Sequence, residues 1–502
     1  MEKGCVYLVG AGPGDPNLIT VKGLQCLVQA DVILYDGLAN PDLLKHARKG
    51  CQCINVEKRP GLHRVQQDEI NNLMVDHAKV GRCVVRLKGG DPIVFGRGGE
   101  EAEVLYRARI PFEIVPGITS AIAAPAYAGI PVTNRGMSTH VTIVTGTTAT
   151  LDGSAGVDWE GLARAGGTLL ILMGTRHRAE IAKRLINGGR LAETPVSIVQ
   201  NGTLSTQKTV RTTLEKLGEV VISNPAVIVV GAVASMDLNW FESKPLFGRT
   251  IAVTRARTQA SNLATAFANL GATVLEVPTL EFADPDSWDS VDAAIGHIHT
   301  FDWVVFTSAN GVERFLMRIF ELGLDVRVFH GVKLATIGKA TTEKVETYHL
   351  TVALEAKQRV SEGLVCAFEE AGQVIGKRFL IPKPEISRDV LPKKLRELGG
   401  TVEEVVVYRT VKPTQLPGHF LDAINANQID LLTFTSSATV HNLVSLLSPD
   451  HLEQIKKNAK VACMGPITAE SANTHGFQVV AQLEENDISI ESLIEAVKTF
   501  FS

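Results

Sequence analysis

The sequence predicts an α/β protein in two halves: a two-lobed N-terminal half, then a second half of two related α/β lobes. Three observations lead there. Short apolar strands alternate with helical stretches, glycine-rich turns recur where strands end, and beyond residue 248 the chain repeats itself. Strand–helix alternation implies a mainly parallel sheet with helices on both faces.

In order, Val6–Val9, Asp31–Tyr35, Arg82–Leu87 and Phe112–Val115 read as strands, with helices over Leu18–Gln29, Gln66–Val80 and Glu100–Arg109. After Asn134–Ser138 a second series begins with Val141–Val144 and continues through Thr168–Met173 and Pro195–Val199 to Val227–Ala232. Asp237–Gly248 reads as exit and linker. The chain from Gly248 (Gly-Arg-Thr-Ile-Ala-Val) then resembles that from Gly376 (Gly-Lys-Arg-Phe-Leu-Ile), an offset of 128. The same offset carries Phe306-Thr307-Ser308 onto Phe434-Thr435-Ser436, and one residue less carries Lys333–Gly338 onto Lys460–Gly465. Correspondences in one order mark two related lobes, and clefts between lobes are where ligands sit.

The 502 residues, 45% apolar and 21% charged, suffice for two to four domains and argue against long disorder. A net charge of −4 gives no global attraction to nucleic acid or a membrane surface, so neither is expected as a partner. No apolar stretch approaches the ~20 residues of a membrane helix. The N-terminal apolar run is too short for a signal segment. The seven cysteines form no CxxC pair and no metal-ligand spacing, so no metal is expected. Reduced thiols and a cytoplasmic setting follow as expectations.

Three loops carry the chemistry of the first half: Gly10-Ala-Gly-Pro13-Gly-Asp15-Pro16, Arg86-Leu-Lys-Gly89-Gly90-Asp91-Pro-Ile-Val94-Phe-Gly-Arg97-Gly-Gly-Glu-Glu101, and Pro116-Gly117-Ile-Thr119-Ser120. The first, with Asp36 ending the next strand, has the outline of a dinucleotide-binding turn. However, Asp15 would oppose a pyrophosphate, and two prolines remove amide donors that should cradle it. The loop better suits a cofactor without phosphates. Three such loops at successive strand ends form a binding rim.

Over about residues 4–242 these motifs, with Gly129-Ile-Pro-Val-Thr-Asn-Arg135, Met173-Gly174 and Asn201-Gly202-Thr203, resemble the uroporphyrinogen-III C-methyltransferases of the tetrapyrrole methylase family. The resemblance implies S-adenosyl-L-methionine as cofactor, contacted by Pro13, Gly89, Gly90, Asp91, Val94, Thr119, Ser120, Met173 and Gly202. It also implies Asp36 as proton acceptor, Lys58 as proton donor and a homodimer formed through this half. The octa-acid substrate calls for cations, and Arg59, Arg86, Arg97 and Arg135 are the candidates, with Arg64 and Lys88 beside them. One departure is Asn134, where the family usually carries His.

Over about residues 248–500 the chain resembles uroporphyrinogen-III synthase, through Val253-Thr254-Arg255, Phe306–Val312, Val407-Tyr408-Arg409-Thr410, Phe434–Ala438 and Gly465–Ala469. The implied fold is bilobal and the chain crosses between lobes twice, giving 248–281 plus 412–502 and 282–411; the simple repeat boundary at 376 is the alternative. Domains of 1–244 (lobes about 1–135 and 136–244) and 245–502 follow. Hydroxymethylbilane would be held by Arg255, Ser308, Thr435 and Ser436, and Tyr408 is the general-acid candidate. Two alternatives stand: a methylase of a later precorrin, and a second half that only senses a ligand. The fused synthase argues against the first, because its product is the methylase's own substrate.

Overall fold

The computed structural model describes residues 4–56, 67–147, 156–254, 257–357, 361–387, 389–484 and 487–502. The chain divides into two compact units, Met1–Thr250 with Ala266–Val274 and Phe501–Ser502, and Ile251–Thr265 with Leu275–Phe500.

The first unit opens with five strands: β1 (Val6–Gly10), β2 (Val32–Tyr35), β3 (Gln52–Asn55), β4 (Val84–Lys88) and β5 (Phe112–Val115). They form a parallel sheet in the order β3-β2-β4-β1-β5. Side chains alternate across it. Val6, Leu8, Val32, Leu34 and Val84 point to one face, where they meet Met74 and Leu105 of helices α2 (Gln67–Lys79) and α3 (Gly98–Arg107). Val9, Ile33, Val85 and Leu87 point to the other and meet Leu27 of α1 (Val21–Gln29). Burial on both faces is why these strands read as apolar runs. The edge strand β3, Gln-Cys-Ile-Asn and mostly exposed, carries no such run and escapes the sequence reading.

A second sheet follows: β6 (Val141–Thr145), β7 (Thr168–Leu172), β8 (Pro195–Gln200), β9 (Lys208–Thr213) and β10 (Ala226–Val230), in the order β6-β7-β10-β8-β9. It is mixed: β6 and β7 are parallel, whereas β10 runs antiparallel to both neighbours and β8 pairs antiparallel with β9. Helix α4 (Ser120–Tyr127) starts at the end of β5 and packs Ala121 and Ala124 onto Leu170, Val199, Val227 and Val229 of this second sheet. One helix therefore ties a loop of the first sheet to the face of the second.

Beyond lie β11 (Thr250–Val253), β12 (Thr273–Glu276), β13 (Glu281–Ala283), β14 (Trp303–Phe306), β15 (Lys333–Thr336), β16 (Leu354–Glu355), β17 (Arg378–Pro384), β18 (Thr401–Val411), β19 (Leu431–Phe434), β20 (Lys460–Cys463) and β21 (Gln478–Gln482). They make two sheets, β12-β11-β19-β20-β21 and β13-β18-β17-β14-β15-β16. Ile251 faces Leu431 in one sheet, and Phe379 faces Trp303 in the other. The offset of 128 carries Ile251 onto Phe379 and Trp303 onto Leu431. Each sheet thus pairs the opening strand of one repeat with a later strand of the other, β11 with β19 and β17 with β14.

Candidate active sites at the strand ends

The end of the first sheet is built from glycines that touch. A Cβ on Gly117 would lie 2.3 Å from Gly90 O and 2.7 Å from Gly10 Cα, and one on Gly10 only 2.5 Å from Gly117 Cα. No other residue leaves room for three backbones so close. The loops after β1 and β4 also pair, Gly90 N donating to Gly12 O (2.7 Å) and Gly12 N to Gly90 O (3.2 Å). Asp91 ties in the third loop. Its Oδ1 accepts from Ile93 N (2.8 Å) and Val94 N (3.2 Å), and its Oδ2 from Gly117 N (3.0 Å). Both carboxylate oxygens are thereby engaged with the chain's own amides. Thr119 caps α4 by accepting from Ala121 N, so Ser120 opens that helix. Gly90 has a φ of 69°, and the space its missing side chain leaves has no atom nearer than 3.8 Å, the closest being Ser120 N and Thr119 Cα.

Gly89, Gly90, Asp91, Val94, Thr119 and Ser120 are thus brought together. Pro13, half-buried, lies on the same rim, with Gly14 O accepting from Asn40 Nδ2 (2.8 Å). Gly202 joins them through α4: its Cβ would sit 2.3 Å from that of Ala124. Met173, half-exposed at φ 55°, stands after β7 in the second sheet, and its carbonyl accepts from Thr147 Oγ1 (2.8 Å). Lys58, Arg59 and Arg64 lie outside the described residues.

Asp36 follows β2 and is part-exposed. Its Oδ1 accepts from Gly89 N (3.2 Å), and Arg86 Nη2 approaches its Oδ2 at 3.5 Å. Behind it lies a buried knot of charge. Glu101 is fully buried, and its Oε1 accepts from Arg86 Nε (3.2 Å), Lys88 Nζ (3.1 Å) and Gln67 Nε2 (3.1 Å). Arg86, 4% exposed, also donates to Leu34 O and Leu87 O. Here the expectation for Arg86 is corrected. Its guanidinium points into the protein and holds Asp36 and Glu101, so it is not free to meet a substrate carboxylate. Burial first, and then the charge of Arg86, hold the Lys88 ammonium below its ordinary pKa, against the pull of Glu101. Arg97 is half-exposed and spends its guanidinium on Glu100 (2.6 and 3.0 Å), while Arg135 is exposed. Sequence reasoning missed Glu101. The signal was present: Arg86 and Lys88 in a strand buried on both faces require an acid nearby.

In the second unit, β14 and β19 end in the same way. Ser308 (φ −161°, ψ 151°) and Ser436 (φ −160°, ψ 159°) stand before the helices Ala309–Glu321 and Ser437–Leu446. Ser308 Oγ accepts from Gly311 N (3.0 Å), and Ser436 N donates to Thr439 Oγ1 (3.4 Å). Thr435 and Ser436 are half-buried. Tyr408, near the end of β18, is 5% exposed; its hydroxyl lies 3.3 Å from Ser308 Oγ and its ring meets Phe282 edge-on. The structure therefore brings Tyr408 and Ser308 together. Lys383, onto which the offset of 128 carries Arg255, pairs with Glu404 (2.6 Å). Arg255 lies outside the described residues. No group of three or more potential metal ligands occurs among the described residues, and none of their helices is long and apolar enough to cross a membrane.

The family model for Tetrapyrrole (Corrin/Porphyrin) Methylases matches residues 5–218, and that for Uroporphyrinogen-III synthase HemD matches residues 261–495. The chain is 35% identical over 506 residues to the porphyrin biosynthesis protein HemD of Ruminiclostridium josui, covering 99% of this chain and 98% of that one. It is 39% identical over 423 residues to a uroporphyrinogen-III C-methyltransferase of Bacillus subtilis (strain 168), covering 83% of this chain and 86% of the relative. Among solved structures, uroporphyrin-III C-methyltransferase from Thermus thermophilus complexed with S-adenosylhomocysteine is 40% identical. That likeness covers 46% of this chain and 98% of the other, with a TM-score of 0.40.

Proposed function

Because the chain belongs to the family in which a tetrapyrrole methylase is joined to a uroporphyrinogen-III synthase, we propose that its halves perform consecutive steps of tetrapyrrole biosynthesis. The second half cyclises hydroxymethylbilane to uroporphyrinogen III with loss of water. The first transfers two methyl groups from S-adenosyl-L-methionine to C2 and C7 of that product, giving precorrin-2 for sirohaem or cobalamin.

The observation that carries the methylase reading is the interlocked glycine rim. The residues present fit the cofactor. Asp15 has its carboxylate committed to Asn17 N and Tyr127 OH, so the loop offers no phosphate cradle, whereas Gly90 leaves open space before Thr119 and Ser120. S-adenosylmethionine supplies an electrophilic methyl group on a sulfonium. The rim (Pro13, Gly89, Gly90, Asp91, Val94, Thr119, Ser120, with Met173 and Gly202) binds and orients the cofactor; positioning alone reaches effective molarities of ~10⁵ M or more in well-oriented systems. Asp91 serves by fixing the loops, not by offering a free carboxylate. Asp36, aimed by Gly89 N and Arg86, accepts the proton that the macrocycle releases once a substituted pyrrole carbon has taken the methyl group, a role typically worth ~10²–10⁴ in rate. Lys58 as donor, and Arg59, Arg97 and Arg135 as cations for the substrate's carboxylates, complete the proposal.

In the synthase half, amides at the helix starts after Ser308 and Ser436 receive carboxylates of the linear substrate, together with Thr435 and Arg255. The Tyr408–Ser308 hydroxyl pair assists departure of the terminal hydroxyl. The seven cysteines are free thiols, which supports a reducing, cytoplasmic setting. A homodimer through the methylase half would cover Ile114, Ile118 and Ile122, exposed along β5 and the start of α4. Ultracentrifugation of the chain against a charged variant of Ile118 tests it.

The deciding experiment supplies hydroxymethylbilane without air, with and without S-adenosylmethionine. Uroporphyrinogen III alone without cofactor, and a dimethylated product with it, are expected. Only the type I isomer would defeat the synthase reading, and unmethylated uroporphyrinogen III in the presence of cofactor would defeat the methylase reading.

A further inference from the structure

The segment read from sequence as a linker is not a loose tether. Leu238 N donates to Gly129 O, and Arg211 donates to Met236 O and to Asp237 Oδ1 (2.8 Å). Trp240 Nε1 donates to Ala126 O (2.9 Å), and Phe241 is buried. From this anchored strap two arms reach one residue, Asp15 of the loop after β1. In the first, the Tyr127 ring packs against Trp240 (4.9 Å between centroids) and Phe241 (4.7 Å), and its hydroxyl donates to Asp15 Oδ2 (3.0 Å). In the second, Glu242 Oε1 accepts from Gln207 Nε2 (2.9 Å), Gln207 Oε1 accepts from Thr203 N (2.8 Å), and Thr203 Oγ1 accepts from Asp15 N (3.0 Å). Gln207 and Thr203 are almost fully buried.

The circuit is closed: strap, Tyr127, Asp15, Thr203, Gln207, strap. It grips the residue beside Pro13 and Gly14 by both its carboxylate and its amide. It also passes through Thr203, next to Gly202, so two stretches of the proposed cofactor rim are set by one clasp.

We infer that the strap Asp237–Phe247 is a positioning device for S-adenosylmethionine binding, with Tyr127 and Glu242 as positioning residues that hold the Pro13–Asp15 loop in its binding shape. This rests on the reading of that loop as part of the cofactor site. The Tyr127 phenol supports it: burial, then the Asp15 charge, raise its pKa, so it remains a hydrogen donor throughout the working range. A loop that must be ordered before it binds loses affinity by the fraction of time it is not.

The test uses the full chain. S-adenosylhomocysteine is titrated calorimetrically into the parent protein, Tyr127→Phe and Glu242→Ala, with thermal midpoints and hydroxymethylbilane cyclisation measured alongside. Tyr127→Phe keeps the ring packing and removes only the hydroxyl, so it separates positioning from folding. Each variant is expected to weaken S-adenosylhomocysteine binding by about tenfold, raise the KM for S-adenosylmethionine, and leave both the KM for uroporphyrinogen III and cyclisation unchanged. Binding within about twofold of the parent in both variants, even with lowered thermal midpoints, overturns the inference and makes the strap merely structural. A parent chain that binds no S-adenosylhomocysteine overturns the cofactor reading itself, a result distinct from the first.

Discussion

The two units place chemistry at the ends of strands by different means. In the first, three loops interlock: Gly10, Gly90 and Gly117 touch, the Asp91 carboxylate reaches the loop after β5, and that of Asp15 reaches the end of α4. In the second, the ends of β14 and β19 are each finished locally by a serine before its own helix, Ser308 and Ser436, in nearly the same backbone conformation. Charge differs likewise. The first unit buries Arg86, Lys88 and Glu101 together, whereas Lys383 of β17, Glu404 of β18 and Arg396 of the helix Val390–Glu397 form a part-exposed chain. An interlocked site tolerates few residue types at each position; a locally capped one tolerates many. Motifs are therefore sharp in the first half and diffuse in the second.

Substitutions can break that contrast. The largest effect is expected from Asp36→Ala, which should lower methylation by about 10²–10⁴ while leaving cyclisation intact; equal loss of both would merge the two sites into one. Next comes Glu101→Gln, which leaves Arg86 and Lys88 buried without their anion. A cost of about 3–5 kcal/mol is expected from breaking such a pair, read as a lowered melting transition of the first unit with cyclisation retained below it. Gly117→Ala should cost about 1–3 kcal/mol by overpacking and abolish S-adenosylhomocysteine binding. Its counterpart, Gly296→Ala at the end of the helix Asp289–Gly296 in the second unit, meets nothing within 4 Å and should leave cyclisation unchanged.

The smallest effect concerns pH. Burial alone would raise the Glu404 carboxyl, but hydrogen bonds from Lys383 and Arg396 outweigh it and hold the group below its ordinary value of 4.5. A depressed folded-state pKa means that the stabilisation is complete above 4.5 and fades as pH falls through the folded value. Acid melting curves of the second unit should therefore steepen below pH 4.5, and Glu404→Gln should flatten them.

Much of this was legible from residues. Apolar runs gave β1, β2 and the start of β4, because strands covered on both faces are apolar wherever no paired charge sits, and the edge strand β5 was read from its alternation with the helices. The polar edge strands β3 and β9 carry no such pattern and needed the structure. The glycine loops announced themselves because only glycine permits such contact. Arg86 misled, since a cation in sequence beside a binding loop reads the same whether it faces substrate or an unseen acid fifteen residues on.

By itself the sequence determined the α/β alternation, the internal repeat and the residue types at the rim, since these follow from local periodicity and from steric demands single residues declare. Tertiary structure alone decided three things. It set which repeat pairs with which: Ile251 faces Leu431 while Phe379 faces Trp303, an exchange that the offset of 128 does not imply. It turned Arg86 inward onto Glu101. It closed the strap onto Asp15 through residues 112 and 188 positions away. Each depends on partners distant in the chain, whose meeting is fixed by packing of whole elements, and no local pattern records it.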